Sequence, residues 1–424
     1  MTPQQIEALG PAFAAYLEQF LFCCGYTQTF DLLQLYCRGL LSDLGRKTCE
    51  PLALYAGVAV RTLQEFLKDH LWSYLQARDV LQQHVARTLG EQADDDLGTL
   101  GLIDETGVVK KGTHTPGVQR QRCGEVGKQE NCIVTVHLGV ARGRYKTLVD
   151  ADLFLPESWD QDRTRCRAHD IPDDVVHRPK WRMALGQVDR ARANGITLDW
   201  LTFDEEYGKA PDFLQGLDAR RLRFVGEVPK SFHCSVARLP AGQSAGRADH
   251  LVRHSPTFCR QAWRRFRLHH QTEQEAVWEA KAAQVWVAGS GRTYWLIWAR
   301  HPATGEEKYF VSNAPAGASL RRLLRAGFGR WNVEHCFRLS KGEIGFRDFQ
   351  GRSYVGLMRH LTLCLVTLTF AAGQAERLRG EKSGGDRGAG LPGVEPAVRG
   401  LAGGAAGDQS VAVHGRQHWL SPAA

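Results

Sequence analysis

The chain has 424 residues, a formal net charge of +8 and a pI near 8.9, with 43% apolar and 24% charged residues. This length suffices for two or three domains, or for one catalytic core with additions, and the composition is ordinary for a globular protein. The mildly basic charge favours a polyanionic partner without proving one. Eleven scattered cysteines without a Cys-x-x-Cys pair exclude the usual zinc spacings. With no signal peptide and no membrane-length apolar run, the sequence predicts a cytoplasmic protein with reduced thiols.

Residues 1–92 are predicted to be helical, because apolar residues recur at intervals of three and four. Within them, residues 52–68 have the pattern of a helix-turn-helix, in which Gly57 lies where a tight turn needs a positive φ. A plain pair of antiparallel helices explains the pattern as well, so both interpretations stay open. The second helix of this segment offers three side chains to DNA grooves or phosphates, namely Arg61, Gln64 and Lys68.

The pattern changes to strands near residue 97. A nearly continuous apolar run ends at Asp104, as expected of a buried central strand, and two alternating segments joined at residues 142–144 predict a hairpin. Helices and strands then alternate, and one predicted strand ends at Asp204. This order predicts a mixed α/β layout for residues 93–228.

The remaining chain divides into three predicted segments. Residues 229–315 contain short alternating stretches rich in tryptophan, which predict a β-rich insertion whose tryptophans pack in its core rather than hold a flipped base. Helical patterns return over residues 316–372. Residues 373–424 are rich in Gly, Ala and Arg with few apolar residues, and are predicted to be disordered.

Three separated carboxylates point to the chemistry. Asp104 and Asp204 each follow an apolar run, and Glu334 lies between Arg330 and Lys341 at spacings that place all three on one helical face, within about 40°. Hard carboxylate oxygens are what two divalent cations need for phosphodiester chemistry. Alternatively, each aspartate is an ordinary turn or cap residue, and the glutamate belongs to an exposed ion-pair ladder.

The motifs around these residues resemble those of bacterial insertion-sequence transposases of the Asp-Asp-Glu type, in particular the insertion-sequence 701 group of the insertion-sequence 4 superfamily. Residues 103–107 resemble the first motif of that family, and residues 203–208, which contain Asp-x-x-Tyr-Gly, resemble its second. The Arg-x3-Glu-x6-Lys spacing of Arg330, Glu334 and Lys341 resembles its third. The resemblance covers roughly residues 20–372.

The resemblance implies an α/β fold with a ribonuclease-H-like catalytic core, a β-rich insertion and an all-helical N-terminal domain. It further implies two Mg²⁺ ions, for which Mn²⁺ can substitute, with Asp104 bridging both ions, Asp204 holding one and Glu334 the other. Arg330 and Lys341 would then hold phosphates of the terminal nucleotides. These roles are expectations that come from the family.

The function predicted on this basis is a cut-and-paste DNA transposase. It would cut double-stranded DNA at the terminal inverted repeats of its element and join the freed 3′-OH to target DNA, as a dimer on two DNA ends in the bacterial cytoplasm, associated with the nucleoid. Two rival interpretations are a nuclease on the same core without strand transfer and an inactive DNA-binding remnant. Gly327 keeps the second rival open, because the family often has a tyrosine at that position.

Overall fold

The structure is a computed structural model that describes residues 8–93, 96–239, 244–269, 275–287 and 291–382. The helices are α1 Leu9–Glu18, α2 Thr27–Leu41, α3 Cys49–Ala56, α4 Val60–Lys68, α5 Tyr74–Glu91, α6 Glu157–Asp160, α7 Arg163–Ala168, α8 Lys180–Ala193, α9 Glu205–Gly208, α10 Pro211–Ala219, α11 Ala248–His254, α12 Pro256–Cys259, α13 Leu320–Phe328, α14 Trp331–Leu339 and α15 Tyr354–Lys382. A 3₁₀ turn spans Leu21–Cys23 and a π-helical turn spans Ser340–Ile344.

Two groups of strands lie between these helices. The first comprises β1 Leu100–Val109, β2 Gln119–Cys123, β3 Lys128–Arg142, β4 Tyr145–Leu153 and β5 Trp200–Thr202. The second comprises β6 Val225–Glu227, β7 His233–Ser235, β8 Gly246–Arg247, β9 Arg264–His269, β10 Glu275–Val287, β11 Thr293–Arg300 and β12 Glu307–Ser312. The predicted mixed α/β class and the predicted N-terminal helices are therefore confirmed.

The first sheet has the strand order β4, β3, β1, β5, and β2 pairs with the opposite end of β3. Strand β3 runs antiparallel to β1, whereas β5 runs parallel to β1. The predicted hairpin at residues 142–144 joins β3 to β4, and Gly143 supplies the positive φ (58°) that its tight turn needs. A parallel bridge between Leu201 and Phe224 extends the order toward β6.

Strand β1 runs past the point where the sequence analysis ended it. Polar residues follow Asp104, but the antiparallel pairing with β3 continues to the pair Val109 and Cys132. Strand β1 therefore extends to Val109. The placement of Asp104 at a strand end is thus wrong. What ends near it is the parallel pairing with β5, whose last pair is Leu102 and Thr202.

The second sheet has the order β6, β12, β11, β10, β7, β8, with β9 also paired to β10. Its tryptophans pack as core residues to different degrees. Trp298 is buried and its ring centroid lies 4.5 Å from that of Trp263, whereas Trp286 and Trp295 are half-buried. Since β6 bridges to β5, the predicted β-rich insertion shares a hydrogen-bonded edge with the first sheet.

Helix α15 packs against both the first sheet and the N-terminal helices. The Thr369 and Thr147 hydroxyls are 2.8 Å apart, and the Tyr16 hydroxyl donates to the Val366 carbonyl at 3.0 Å. The segment Tyr354–Leu378 is long and apolar enough to cross a membrane by length and composition alone. However, 94% of its most apolar stretch is buried within the fold, as in the core helix of a globular protein. The helix continues past residue 372, where the sequence analysis ended it, and the rest of the predicted tail lies outside the described residues.

Arg359 of α15 fastens the region around α4 to this helix. Its guanidinium is buried and lies 4.8 Å from the ring centroid of Trp72. It donates to the backbone carbonyls of Phe66, Leu67, His70 and Trp72. The neighbouring His360 ring nitrogen lies 2.8 Å from the Tyr36 hydroxyl. The N-terminal helices and the C-terminal helix therefore share one core.

Candidate active site

The parallel pairing of β1 and β5 brings the two aspartates side by side. Leu102 of β1 pairs with Thr202 of β5, and Asp104 and Asp204 each lie two residues after these paired residues. Side chains two apart on an extended chain point to the same face, and neighbouring strands are about 4.8 Å apart. Asp104 and Asp204 therefore emerge next to each other from the same face of the sheet.

Asp204 holds the start of a short helix. Its Oδ1 accepts a hydrogen bond from the Glu206 amide at 3.0 Å, which makes Asp204 the N-cap of α9. The cap interpretation of this aspartate is therefore correct, and an ionised carboxylate has more acceptor sites than a cap uses. Within the Asp-x-x-Tyr-Gly motif, Gly208 is required because any Cβ there would clash with the backbone oxygen of Glu227.

Arg330 joins the first acid to the third. Its Nη1 donates to Asp104 Oδ2 at 2.7 Å and its Nη2 donates to Glu334 Oε1 at 2.9 Å, so one guanidinium bridges two carboxylates. The side chains of Arg330 and Asp104 are each 13% exposed, whereas Glu334 is 59% exposed. The structure thus brings together Asp104, Arg330 and Glu334, with Asp204 beside Asp104.

Lys341 lies on the π-helical turn that follows α14. Its Nζ donates to the Gly107 carbonyl of β1 at 3.0 Å and lies 3.5 Å from Glu125 Oε2. Lys341 therefore contacts the strand that carries Asp104, three residues further along. Burial of its ammonium group lowers the pKa of Lys341. This lysine therefore has two partners on the protein in this structure, and its DNA-binding role stays a prediction.

The other predicted DNA-binding residues lie on α4, an element that carries none of the three acids. Arg61, Gln64 and Lys68 are all exposed, while Leu63 and Phe66 on the opposite face are buried. Gly57, with a φ of 68°, makes the turn between α3 and α4. Such a pair fits both a helix-turn-helix and a plain helical hairpin, so contact between α4 and DNA stays a prediction.

Lys180, which the sequence analysis did not single out, forms an ion pair with Glu105 next to the aspartates. Lys180 opens α8, and its local sequence predicted a helix start but carried no signal for a contact 75 residues away. Buried Tyr207 lies in the same neighbourhood, where burial and then the charge of Glu105 raise its pKa. Glu206, two residues after Asp204, pairs with Lys209 at 2.7 Å.

Burial places the titration of both aspartates near neutral pH. The pKa of Asp104 is raised to about 7, chiefly by burial and further by the charge of Asp204, against the opposing effect of Arg330. The pKa of Asp204 is raised to about 6 by burial and by the charge of Glu105, again opposed by Arg330. A second cation at this position would favour the ionised forms of both acids.

The donor set fits a hard divalent cation, because it consists of carboxylate oxygens from three different elements. In the described part of the chain, however, no three or more histidine, cysteine, aspartate or glutamate side chains are close enough together to hold a metal ion. Arg330 keeps two of the carboxylates apart, since its guanidinium lies between Asp104 and Glu334. The three carboxylates are present, but an arginine occupies the space between two of them.

Gly327 departs from the family motif for a packing reason. It lies in α13, whose backbone approaches the second sheet so closely that a Cβ would be 3.1 Å from side-chain atoms of both Phe310 and Val225. The Gly327 carbonyl also accepts a hydrogen bond from the Thr202 hydroxyl at 3.3 Å. Phe310 and Val225 would therefore have to shift to admit any side chain at this position. Neither of these neighbours is one of the three acids.

Comparison with known proteins adds three findings. A family model described as DDE superfamily endonuclease matches residues 19–288, a segment that includes Asp104 and Asp204 and ends before Glu334. The probable transposase for insertion sequence element IS701 from Microchaete diplosiphon is 26% identical over 212 residues, which are 49% of this chain and 51% of that protein, so the chain spans about half the length of this curated relative. The cryo-EM structure of the piggyBac transposase synaptic complex with hairpin DNA is similar over 88% of this chain and 71% of that chain, with a TM-score of 0.45 and 9% identity.

Proposed function

The chain belongs to the DDE superfamily endonucleases, whose model matches more than half of it, and we propose that it is a DNA transposase. Family membership implies the use of a divalent metal ion. The observation that carries the proposal is the meeting of Asp104 and Glu334 on one guanidinium, with Asp204 alongside. The resemblance of the motifs to insertion-sequence transposases and the name of the curated relative support the same conclusion.

The proposed catalytic core is ribonuclease-H-like. The strand order β4, β3, β1, β5, β6, with β3 antiparallel to its neighbours and β5 parallel to β1, supports this assignment. Ligands in open α/β sheets gather beyond the carboxyl ends of parallel strands. Asp104 and Asp204 emerge where the parallel pairing ends, which is where such a core would place its acids.

In the proposed mechanism Asp104, Asp204 and Glu334 would hold the two Mg²⁺ ions, which when bound would supply activation of the attacking oxygen and stabilisation of the leaving oxygen of the phosphodiester. Burial of the aspartates excludes water from the carboxylates and strengthens their attraction for a cation. Arg330 and Lys341 would bind backbone phosphates and so position the DNA strand.

The proposed partners are the double-stranded ends of the element and the target DNA, bound by a dimer in the cytoplasm. Helix α4 would contribute Arg61, Gln64 and Lys68 to duplex binding, since these side chains are exposed on one element. Arg359 would keep that element in a fixed orientation relative to α15. The net charge of +8 suits a polyanionic partner.

A cleavage and joining assay on the flanking ends of the element, with Mg²⁺, tests this proposal. Glu334→Gln should lose cleavage by at least about a hundredfold while still binding the DNA, because it removes a metal ligand without removing side-chain volume. Glu343→Gln, nine residues further along, is the matched control and should keep wild-type activity. Cleavage without joined products would favour the nuclease interpretation. A wild-type chain that binds the ends without cutting them would favour the inactive remnant.

A further inference from the structure

Arg330 lies where a cation is needed by the acids. It donates to one oxygen of Asp104 and one of Glu334 through separate nitrogens, so it makes one charge-assisted hydrogen bond to each of two carboxylates. The charges of Asp204 and Glu227 also favour its protonated form and raise the pKa of Arg330, although burial opposes them. Because a guanidinium stays charged at all physiological pH values, it cannot leave this position by losing a proton.

The neighbouring charges leave Arg330 as the counter-ion of this site. Glu105 already has Lys180 as its partner, and Lys341 is held by Gly107 and Glu125. Among the contacts of the described residues, Arg330 is the cation that reaches both Asp104 and Glu334. Removing it without replacement would leave the buried Asp104 carboxylate uncompensated, which is costly in a protein interior.

A metal ion and Arg330 compete for the same oxygens. A Mg²⁺ ion that both carboxylates hold at about 2.0–2.1 Å must lie between them, where the guanidinium of Arg330 lies, and the two cations repel each other. A displaced Arg330, whose side chain is only 13% exposed, then needs another anion. A DNA phosphate supplies one, because a guanidinium can bind a phosphate through two parallel N–H donors.

We propose that Arg330 is a resident counter-cation that closes the metal site in the free protein and moves to a DNA phosphate when metal binds. The inference rests on the proposed function and adds a coupling to it: metal and DNA each favour the binding of the other. The free chain is then held in a metal-poor state, and the cutting centre forms on DNA. By linkage, DNA must raise metal affinity by the same factor by which metal raises DNA affinity.

Mn²⁺ binding followed by electron paramagnetic resonance tests this coupling without measuring activity. The titration is made on the full chain with and without a pre-cleaved duplex end. For the wild type, DNA should tighten Mn²⁺ binding about tenfold, a typical coupling factor. Arg330→Gln should bind Mn²⁺ about tenfold more tightly than the wild type in the absence of DNA, and DNA should tighten its binding by a much smaller factor.

Two further variants separate occupancy from charge. Arg330→Lys keeps the charge but replaces the rigid planar fork with a compact ammonium on a flexible stem, so its Mn²⁺ affinity without DNA should still rise, by about threefold. Arg220→Gln breaks another arginine–carboxylate pair, with Asp189, and should leave Mn²⁺ affinity unchanged. Thermal melting of each variant confirms that it is folded, and Arg330→Lys serves if Arg330→Gln is not.

The outcomes are distinct. If the wild type and the Arg330 variants bind Mn²⁺ equally well without DNA, Arg330 does not close the site, although the proposed metal-dependent function stands. If DNA tightens Mn²⁺ binding equally in the wild type and in Arg330→Gln, the coupling does not pass through Arg330. If no folded variant binds Mn²⁺ at all, both the inference and the proposed metal chemistry are wrong.

Discussion

Two buried arginines, Arg330 and Arg359, differ in what they hold. Arg359 donates to backbone carbonyls around the end of α4, and these acceptors neither titrate nor bind a competing cation at this position. Arg330 instead bridges two carboxylates, which both protons and metal ions can take from it. An arginine therefore makes fixed structural contacts at position 359, whereas at position 330 it is a cation that a metal ion can replace. The partner, rather than the arginine, decides which role it has.

The largest expected effect is on catalysis at the acids that surround Arg330. Asp204→Asn should reduce Mg²⁺-dependent cleavage by about a thousandfold, because it removes a ligand whose metal contributes several kcal/mol to the transition state. The rate is measured on the ends of the element at pH 7.5. Asp212→Asn on α10, an exposed aspartate nearby in the sequence, is the control and should cleave normally. Full activity in Asp204→Asn would remove this acid from the proposed site.

The next effect is on the stability of the fold around Arg359. Arg359→Met should lower the free energy of unfolding by about 3 kcal/mol, because it leaves several buried carbonyls without a donor. Chemical denaturation measures this change, with Arg352→Met at an exposed position as the control. Mn²⁺ affinity of the folded Arg359→Met protein should equal that of the wild type. A change in metal affinity as large as that of Arg330→Gln would show that the two regions are not separate.

The affinity of the proposed site for metal ions should depend on pH near neutrality. The Asp104 pKa of about 7 and the Asp204 pKa of about 6 lie above the usual value for aspartate, so protons compete with metal below these values. Mn²⁺ affinity should rise about tenfold from pH 6 to pH 7.5 and then level off, because metal ligands must be deprotonated. Calorimetric titration at several pH values measures this rise. A flat profile over this interval would mean that these two acids do not bind the ion.

The last expected effect is on the acid stability of the region around α15. Burial lowers the pKa of His360 to about 4, so the folded chain keeps this histidine neutral while the unfolded chain protonates it below about pH 6.5. Its stabilising contribution is therefore nearly complete above pH 6.5 and is lost as the pH falls toward 4, by about 2 kcal/mol at pH 5. His360→Gln should lose less stability than the wild type between pH 7 and pH 5 in thermal melts. His335→Gln, on α14, is the control and should follow the wild type.

The sequence predicted those features that local patterns encode. Glycine and alternating residues predicted the hairpin at residues 142–144, and the Asp-x-x-Tyr-Gly motif pointed to Asp204. Contacts between distant residues left no such pattern, as in the bond between Arg359 and the Phe66 carbonyl, which are 293 residues apart. The bridge from Arg330 to Asp104 spans 226 residues and was not foreseen either. Motifs thus predicted which acids matter, but the partner that each acid has in the free chain depends on tertiary packing.

The position of α15 has a consequence for the order in which the chain folds during synthesis. The Tyr16 and Tyr36 hydroxyls of the first helices find their partners at Val366 and His360, which a ribosome adds more than 300 residues later. Domains generally fold as units as they emerge, but here the first helices must wait for the last described helix to complete their core. Glu334 also precedes α15 by few residues. A nascent chain that lacks α15 therefore has no finished helical core, and one that also lacks Glu334 has no third acid, so DNA cleavage is expected only after α15 has been synthesised.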